Sequence, residues 1–416
     1  MTSWAVRFRI RQYLKGSLWV IPLFGALLGP IIGYVVWRLD GVLNLPESMR
    51  YSAATATGVL TAIVAAMIGL LGFVVTIGVL VVQMATGTLS PRFMRLWYRD
   101  RMQKVVLAGF VGTFTYAYSL LSRVEPNDVP NLGIFVAGVL TVGNLVLLLL
   151  YLDRFTHNLR PVAVAAAVAR AGRQVIGTPG RDASSGDDLE VRPRGPAVVA
   201  VRARRSGVIQ AIHVSRLTAV ARRHGCHLVM TYGVGDFVPQ NAPLIEVYGE
   251  DGASVAADRL LGWVAVGRER TIDQDPAFAL RVLVDIAIRA LSPAVNDPTT
   301  AVQTIDYTEE LLRALAAAGR PAAGRLTVPT PGWTEYVALA TTEIIQFGAS
   351  SVQVCRRLRA LLEDLHADVT AAQRETIDAQ RRLLDLAVEQ AWPDRAAREF
   401  ARTADRQGIG GGSDGR

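Results

Sequence analysis

The sequence predicts an α-helical membrane protein with four transmembrane helices, joined to a cytoplasmic α+β domain in which a small β module precedes a helical bundle. Three observations support this fold class. Apolar residues make up 51% of the chain. Four long apolar runs with almost no charge precede His157. The rest of the chain has the charged surface pattern of an ordinary globular sequence.

Four spans are predicted inside a membrane domain at residues 1–157. They cover residues 18–37, 58–82, 105–121 and 132–152. Each approaches the ~20 apolar residues that cross a hydrocarbon core. The third is the shortest and the most polar. Pro22, Pro30 and three glycines in the first span predict kinks.

Lysine and arginine in the short flanks predict the orientation, because cytoplasmic loops carry the excess of positive charge. Thirteen positive residues flank the predicted inner ends of the spans, against three at the outer ends. The thirteen are Arg7, Arg9, Arg11, Lys15, Arg92, Arg95, Arg99, Arg101, Lys104, Arg154, Arg160, Arg170 and Arg173, and the three are Arg38, Arg50 and Arg123. Both termini are therefore predicted to be cytoplasmic, in the plasma (inner) membrane. We attribute the net charge of +8 to contact with the lipid bilayer and not to binding of nucleic acid.

The second predicted span presents small residues four positions apart, a pattern through which transmembrane helices approach closely. Two interpretations stay open: packing inside the four-helix bundle, or a subunit interface or pore lining in a homo-oligomer. The predicted spans contain no acid or base, which argues against ion-coupled transport. The candidates for membrane packing or pore lining, including two amides near membrane depth, are Ala62, Ala65, Ala66, Gly69, Gly72, Thr76, Gln83 and Asn144.

The remainder of the chain is predicted to contain four segments. Residues 158–196 form a connecting helix and a flexible linker. Short β-type runs predict a small β-rich module at 197–250, apolar stripes at helical spacing predict a helical domain at 251–406, and 407–416 is a predicted disordered tail. No lysine follows Lys104, which excludes lysine-linked biotin or lipoate, and no cofactor is predicted.

The most distinctive segment is residues 289–301, which read Arg-Ala-Leu-Ser-Pro-Ala-Val-Asn-Asp-Pro-Thr-Thr-Ala. One interpretation is structural: Pro293 ends one helix, and Asn296 or Asp297 caps the next, which Pro298 begins. The other is a polar pocket at a helix N-terminus that binds a small anionic ligand. The candidate pocket residues are Glu269, Arg270, Gln274, Asp275, Asp285, Ser292, Asn296, Asp297 and Thr299.

Other chemical signals are weaker. His224, Cys226 and His227 are close in sequence, but a bend around Gly225 explains them more simply than a metal site, and no metal is predicted. The acids Glu269, Asp275 and Asp285 could serve an enzyme, although they lack a recognisable companion nucleophile or metal set.

Several motifs match a known family. They are residues 89–92 (Leu-Ser-Pro-Arg), 112–114 (Gly-Thr-Phe), 235–238 (Gly-Asp-Phe-Val), 269–271 (Glu-Arg-Thr) with 274–275 (Gln-Asp), and 290–299. On these residues, over nearly its whole length, the chain resembles the bacterial predicted membrane proteins of the DUF2254 family. The resemblance implies the membrane architecture and implies no particular activity. The family tends to have paired histidines after the fourth span, whereas this chain has His157 alone there.

Three functions are compatible with these features. The first is a homo-oligomeric channel or passive transport protein regulated by its cytoplasmic domain, which uncharged spans rich in small residues favour. The second is a non-transporting membrane scaffold or ligand sensor that uses the polar pocket. The third is a membrane-bound enzyme that uses cytoplasmic acids, and it ranks last.

Overall fold

A computed structural model describes residues 4–40, 50–88, 101–126, 128–158, 160–177, 195–249, 252, 255–318 and 324–408. The described chain is mostly helical, with seven short strands. It forms two compact units: a span unit in the described parts of residues 12–87 and 91–160, and a mixed unit in those of residues 1–11, 88–90 and 161–416. Most of the predicted linker, the motif at 89–92, the positive flank at Arg95 and Arg99, and residues 409–416 lie outside the described residues.

The span unit contains four helices that are long and apolar enough to cross a membrane. They are α2 (Val20–Asp40), α3 (Ala53–Thr88), α4 (Arg101–Leu121) and α5 (Asn131–Asn158), and a shorter helix, α1 (Trp4–Gly16), precedes them. Each predicted span falls on one of the four long helices. The prediction of four apolar helices is therefore confirmed.

Helix α2 packs against α4 through glycine. Gly25, Gly29 and Gly33 lie four residues apart, on one face of the helix. A methyl group added at Gly29 would lie 2.5 Å from the Gly112 carbonyl oxygen, and one added at Gly33 would collide with Ser119 Oγ. Close backbone approach of this kind is how helices associate in lipid. The sequence predicts kinks at Pro22, Pro30 and these glycines, and the kinks stay a prediction. In the structure the glycines let α2 pack closely against α4.

A buried apolar cluster also joins three helices of the span unit. Leu60 of α3, Phe110 of α4 and Ala137 of α5 are fully buried in one cluster. A polar contact joins α2 to α5, since Asp40 Oδ1 accepts a hydrogen bond from Leu132 N at 2.8 Å. An aspartate at this place satisfies a backbone donor of the first turn of α5.

The mixed unit contains two small sheets. Their strands are β1 (Val199–Arg202), β2 (Gly207–Ile212), β3 (His227–Met230), β4 (Phe237–Val238), β5 (Pro243–Tyr248), β6 (Val264–Gly267) and β7 (Leu326–Thr327). One sheet has the order β1-β5-β3-β7, in which β3 and β7 are parallel, and the antiparallel second sheet has the order β4-β2-β6. Strands β6 and β7 come from the region predicted as helical. At four and two residues they are too short to show a strand period in the sequence.

Helices form the rest of the described mixed unit. They are α6 (Pro161–Ile176), α7 (Val214–Arg223), α8 (Ala257–Leu261), α9 (Pro276–Ala290), α10 (Pro298–Ala317), α11 (Trp333–Gly348), α12 (Val352–Asp368), α13 (Ala371–Ala391) and α14 (Arg395–Arg402). Helix α6 lies close to α9 and α10: a methyl group added at Gly172 would lie 2.9 Å from Ala279 Cβ and 3.0 Å from Leu311 Cδ2. The apolar stripe predicted on α9, including Leu280 and Leu283, is buried.

The first turns of α1 belong to the mixed unit, whereas the sequence prediction places residues 1–157 in the membrane domain. Ala5 N donates to the Gly262 carbonyl oxygen at 3.0 Å. Ala5 is also buried in a small cluster with Ala211 of β2 and Ala265 of β6. The apolar side of α1 therefore covers these two strands.

Candidate functional site

The predicted polar residues that precede α9 form an ion pair at its N-terminus, in which the carboxylate is buried and the arginine is partly exposed. Asp275 is 3% exposed. Its carboxylate accepts hydrogen bonds from Phe278 N and from Arg270 Nε, each at 2.9 Å. The first bond makes Asp275 the N-cap of α9. The Arg270 guanidinium also lies 5.4 Å from the centroid of the Phe278 ring, a cation–π distance. Asp275 therefore caps the helix and neutralises the arginine.

The loop before β4 closes over this ion pair. Gly235 has φ +97°, and a methyl group there would lie 2.5 Å from Asp275 Oδ2 and 2.7 Å from Arg270 Nη2. Glycine suits both the left-handed backbone and the close approach. Asp236 Oδ2 accepts from Gly233 N at 2.7 Å and holds the loop. Two motifs that are distant in sequence thus meet; Gly235, Arg270 and Asp275 are called the α9 junction below.

Burial changes the acidity of this carboxyl group. It raises the pKa of Asp275, and the Arg270 guanidinium opposes that shift through its charge and its hydrogen bond. Asp236 adds a smaller contribution that raises the pKa. Removal from water disfavours the charged form of a carboxyl group. This effect on the pKa is larger than the opposing effect of Arg270, so the pKa of Asp275 is raised.

Two further predicted residues connect the α9 junction to β2. Gln274 Oε1 accepts from Ile212 N at 2.8 Å. The Glu269 carbonyl oxygen accepts from Gln210 Nε2 at 2.8 Å, while the Glu269 side chain is exposed. Gln210 is 3% exposed and lies where a side chain at Gly267 would collide with it. These contacts hold the turn before α9 against the sheet.

The second predicted group forms the connection between α9 and α10. Asp297 Oδ1 accepts from Thr300 N at 3.0 Å and caps α10. The exposed Asn296 has φ +47°, in the left-handed region that asparagine tolerates better than most residues. Ser292 Oγ donates to the Arg289 carbonyl oxygen at 2.7 Å. This is the helix-capping arrangement of the structural interpretation.

The predicted pocket residues lie in separate places, which corrects the expectation that they sit side by side. Asp275 lies at the N-terminus of α9, whereas Asn296 and the exposed Thr299 lie beyond its C-terminus. Fifteen helical residues at a 1.5 Å rise separate the two groups by roughly 22 Å. Asp285 lies on α9 between them and accepts from Arg281 Nε at 2.8 Å. Ligand binding at either place stays a prediction.

The small residues of α3 are exposed, on the side opposite its buried face. Leu60, Met67 and Val74 face the core of the span unit. A methyl group added at Gly69 or Gly72 would meet no described atom within 4 Å. The exposed small residues are Ala62, Ala65, Ala66, Gly69, Gly72 and Thr76, called the α3 face below. Within the described chain, this face is therefore not used for packing inside the bundle.

The two amides near membrane depth differ in their surroundings. Asn144 of α5 is 4% exposed, and its Nδ2 donates to Thr113 Oγ1 at 2.7 Å and to the Gly109 carbonyl oxygen at 3.3 Å. It therefore joins α5 to α4 by the helix-to-helix hydrogen bonds that polar groups form in lipid. Gln83 is exposed on α3.

The sequence prediction did not include Gly235 or the three glycines of α2 among the site and packing residues. Gly235 lies in a recognised motif, but nothing in the local sequence signals its contact with the Arg270–Asp275 pair. The glycine spacing in the first span does carry a signal, because residues four apart share a helix face. In the described residues, no group of three or more His, Cys, Asp and Glu side chains is arranged to hold a metal ion.

Four helices that are apolar enough to cross a membrane place the chain in the class of α-helical membrane proteins. More particularly, the chain belongs to the DUF2254 family of predicted membrane proteins, which matches residues 15–364 and confirms the resemblance. Uncharacterized proteins of Mycobacterium bovis and Mycobacterium tuberculosis are each 31% identical over 427 residues, covering 96% of this chain and 80% of the relative. No solved structure matches the chain.

Proposed function

We propose that the protein is a homo-oligomeric channel or passive transport protein of the plasma (inner) membrane. Its subunits meet along the α3 face, and its mixed unit lies in the cytoplasm and regulates opening. The observation that carries this proposal is the exposure of the α3 face in a single chain.

The α3 face suits a contact between two copies. Helices in lipid gain little from burying apolar surface, so they associate where small residues let backbones approach. The three glycines of α2 have this role and are covered by α4. On α3 the pairs Ala65 and Gly69, and Gly72 and Thr76, have the same four-residue spacing. Open space lies before Gly69 and Gly72.

A passive path would run between copies. Phe110, Tyr116 and Leu120 are fully buried in the interior of the span unit and fill it. A path along the α3 face would be lined by methyl groups, glycine backbone and the Thr76 hydroxyl. Because the predicted spans carry no acid or base at midplane depth, such a path favours passive movement over ion-coupled transport.

Disulfide trapping tests the interface. Cys226 and Cys355 are buried, so a cysteine introduced in the membrane reports its own surroundings. Gly69→Cys should trap dimers in native membranes. Ile68→Cys is the matched control, because Ile68 is also exposed but points about 100° away on the helix. The intact protein in nanodiscs should also have the mass of several copies. A monomer, or equal trapping at both positions, overturns the proposal.

Flux through liposomes tests the channel itself. Purified protein should conduct ions or small solutes. Ala66→Trp should reduce both assembly and flux, whereas Ile68→Trp should leave both unchanged. An assembled protein that stays silent across pH and voltage contradicts the channel and leaves the scaffold.

A second candidate function is a non-transporting scaffold or ligand sensor that binds a small anion at the connection between α9 and α10. The exposure of Asn296 and its left-handed backbone favour it. The double change Asn296→Ala and Asp297→Ala should abolish ligand binding without unfolding the chain. Unchanged binding contradicts a site there.

The enzyme ranks third. Asp275 and Asp285 are held by Arg270 and Arg281, and Glu269 is exposed. A purified protein that hydrolyses or transfers no group, and whose Glu269→Gln variant behaves like the wild type, would exclude this candidate.

A further inference from the structure

A cavity in the mixed unit lies between α1 and the β sheet region. Its volume is about 390 Å³, within the usual range for small-molecule sites. Ala5, Val6 and Arg9 of α1 line one side. The cavity is independent of the α3 face, so it concerns a property beyond the proposed channel.

Two arginines at this cavity lack an acidic partner. Arg205 Nη2 donates to the Val266 carbonyl oxygen, and Arg9 Nε donates to the Ala5 carbonyl oxygen at 3.3 Å. Among the described residues, neither guanidinium forms an ion pair with a carboxylate. Arg204 and Asp258 also line the cavity and pair with each other, so Arg9 and Arg205 leave the lining with a net positive charge.

The arginines also repel one another. Partial burial lowers the pKa of Arg205, and the charge of Arg9 lowers it further. Arginine stays charged at neutral pH nevertheless, so the two groups meet as like charges. A bound anion would turn this repulsion into attraction.

Apolar side chains also line the cavity. Leu244 is 1% exposed, and Val264 and Val266 are also buried. Leu261 is a further lining residue. A ligand that fills the cavity therefore needs an anionic end for the arginines and a short carbon group for these apolar side chains.

We propose that the cavity binds a phosphoryl group attached to a short carbon chain, with Arg9 and Arg205 on the phosphoryl oxygens. Guanidinium groups match phosphoryl oxygens in geometry and charge, and such hydrogen bonds are among the strongest in proteins. Two sources supply this chemistry: the headgroup of an acidic phospholipid and a soluble organic phosphate.

Thermal unfolding of the full-length protein tests the site. In neutral detergent, glycerol 3-phosphate should raise the unfolding midpoint if the source is soluble. In nanodiscs, phosphatidylglycerol should raise it relative to phosphatidylcholine alone if the source is a lipid. The double variant Arg9→Gln and Arg205→Gln should lose the effect, with binding about tenfold weaker for each arginine removed.

A charge-matched control separates the site from general electrostatics. Arg222→Gln with Arg223→Gln removes the same charge from the exposed end of α7, and it should keep the full response. Loss of two repelling charges should leave the Arg9 and Arg205 variant at least as stable as the wild type without ligand. If that variant does not fold, Arg9→Gln alone serves, because the described side-chain bond of Arg9 is to its own helix. An equal response in variant and control, or no response to either probe, overturns the proposal.

Discussion

Helices α2 and α3 both present small residues four positions apart, yet the surroundings of the two faces differ. The face of α2 at Gly29 is covered by the backbone of α4 near Gly112. The α3 face around Gly69 is open, because the larger residues Leu60 and Met67 on its other side fill the core. Small-residue spacing therefore predicts the capacity for close approach, but it does not say whether the partner is the same chain or another copy.

The largest expected effect comes from alanine at a covered glycine. Gly29→Ala places a methyl group 2.5 Å from the Gly112 carbonyl oxygen. It should lower the free energy of unfolding by about 3 kcal/mol, as overpacking does where backbone must move. Gly69→Ala, which meets no described atom within 4 Å, should leave the stability of the monomer unchanged. Unfolding in mixed detergent measures the stability of both variants. Equal losses of stability would contradict the assignment of Gly29 as covered and Gly69 as open.

The two helix caps extend the comparison to the mixed unit. Asp275→Ala removes a buried cap and leaves the Arg270 guanidinium without its carboxylate, so it should cost about 3 kcal/mol of stability. Asp297→Ala removes a more exposed cap and should cost about 1 kcal/mol. Circular dichroism during thermal unfolding compares the two variants. A larger loss at Asp297 would show that burial is not the source of the difference.

A smaller effect is expected at the buried amide of the span unit. Asn144→Leu removes the hydrogen bonds to Thr113 and Gly109, and it should cost about 1 kcal/mol, the usual scale for such bonds in membrane proteins. Thr76→Val on the α3 face is the control, since Thr76 Oγ1 bonds to the Gly72 carbonyl oxygen of its own helix. Its stability should match that of the wild type in detergent unfolding.

The smallest effect is a pH dependence at the α9 junction. The pKa of Asp275 is raised in the folded chain, so the folded state binds this proton more tightly than the unfolded state. Its stabilising contribution is therefore present below the ordinary carboxyl pKa of about 4, and it is lost as pH rises through the raised folded value. Asp275→Asn keeps a capping side chain without the titration.

The measurement that checks this is the difference in unfolding free energy between the wild type and Asp275→Asn, as pH rises from about 4 through the raised pKa of the folded chain. The difference should shift in favour of the variant as pH rises. A shift in the opposite direction would mean that the ion pair with Arg270 outweighs burial.

The sequence by itself determined the features that depend on neighbouring residues. Four apolar helices follow from runs that are long enough to cross a membrane. The cap of α10 follows from Asn296 or Asp297 placed before a proline that begins the helix, and the structure selects Asp297. Each of these signals is complete within a few turns of chain, so it needs no knowledge of the fold.

The tertiary structure alone decided which distant residues meet. The contact of Gly235 with the Arg270–Asp275 pair, and the shared cavity of Arg9 and Arg205, join segments with no common period. Strands β6 and β7 are too short for a pattern and exist through their pairing. The α2 and α3 faces have similar spacing, and only the shape of the surfaces around them determines which one is covered. Packing depends on the complementarity of two surfaces, and the sequence of one segment describes only one of those surfaces.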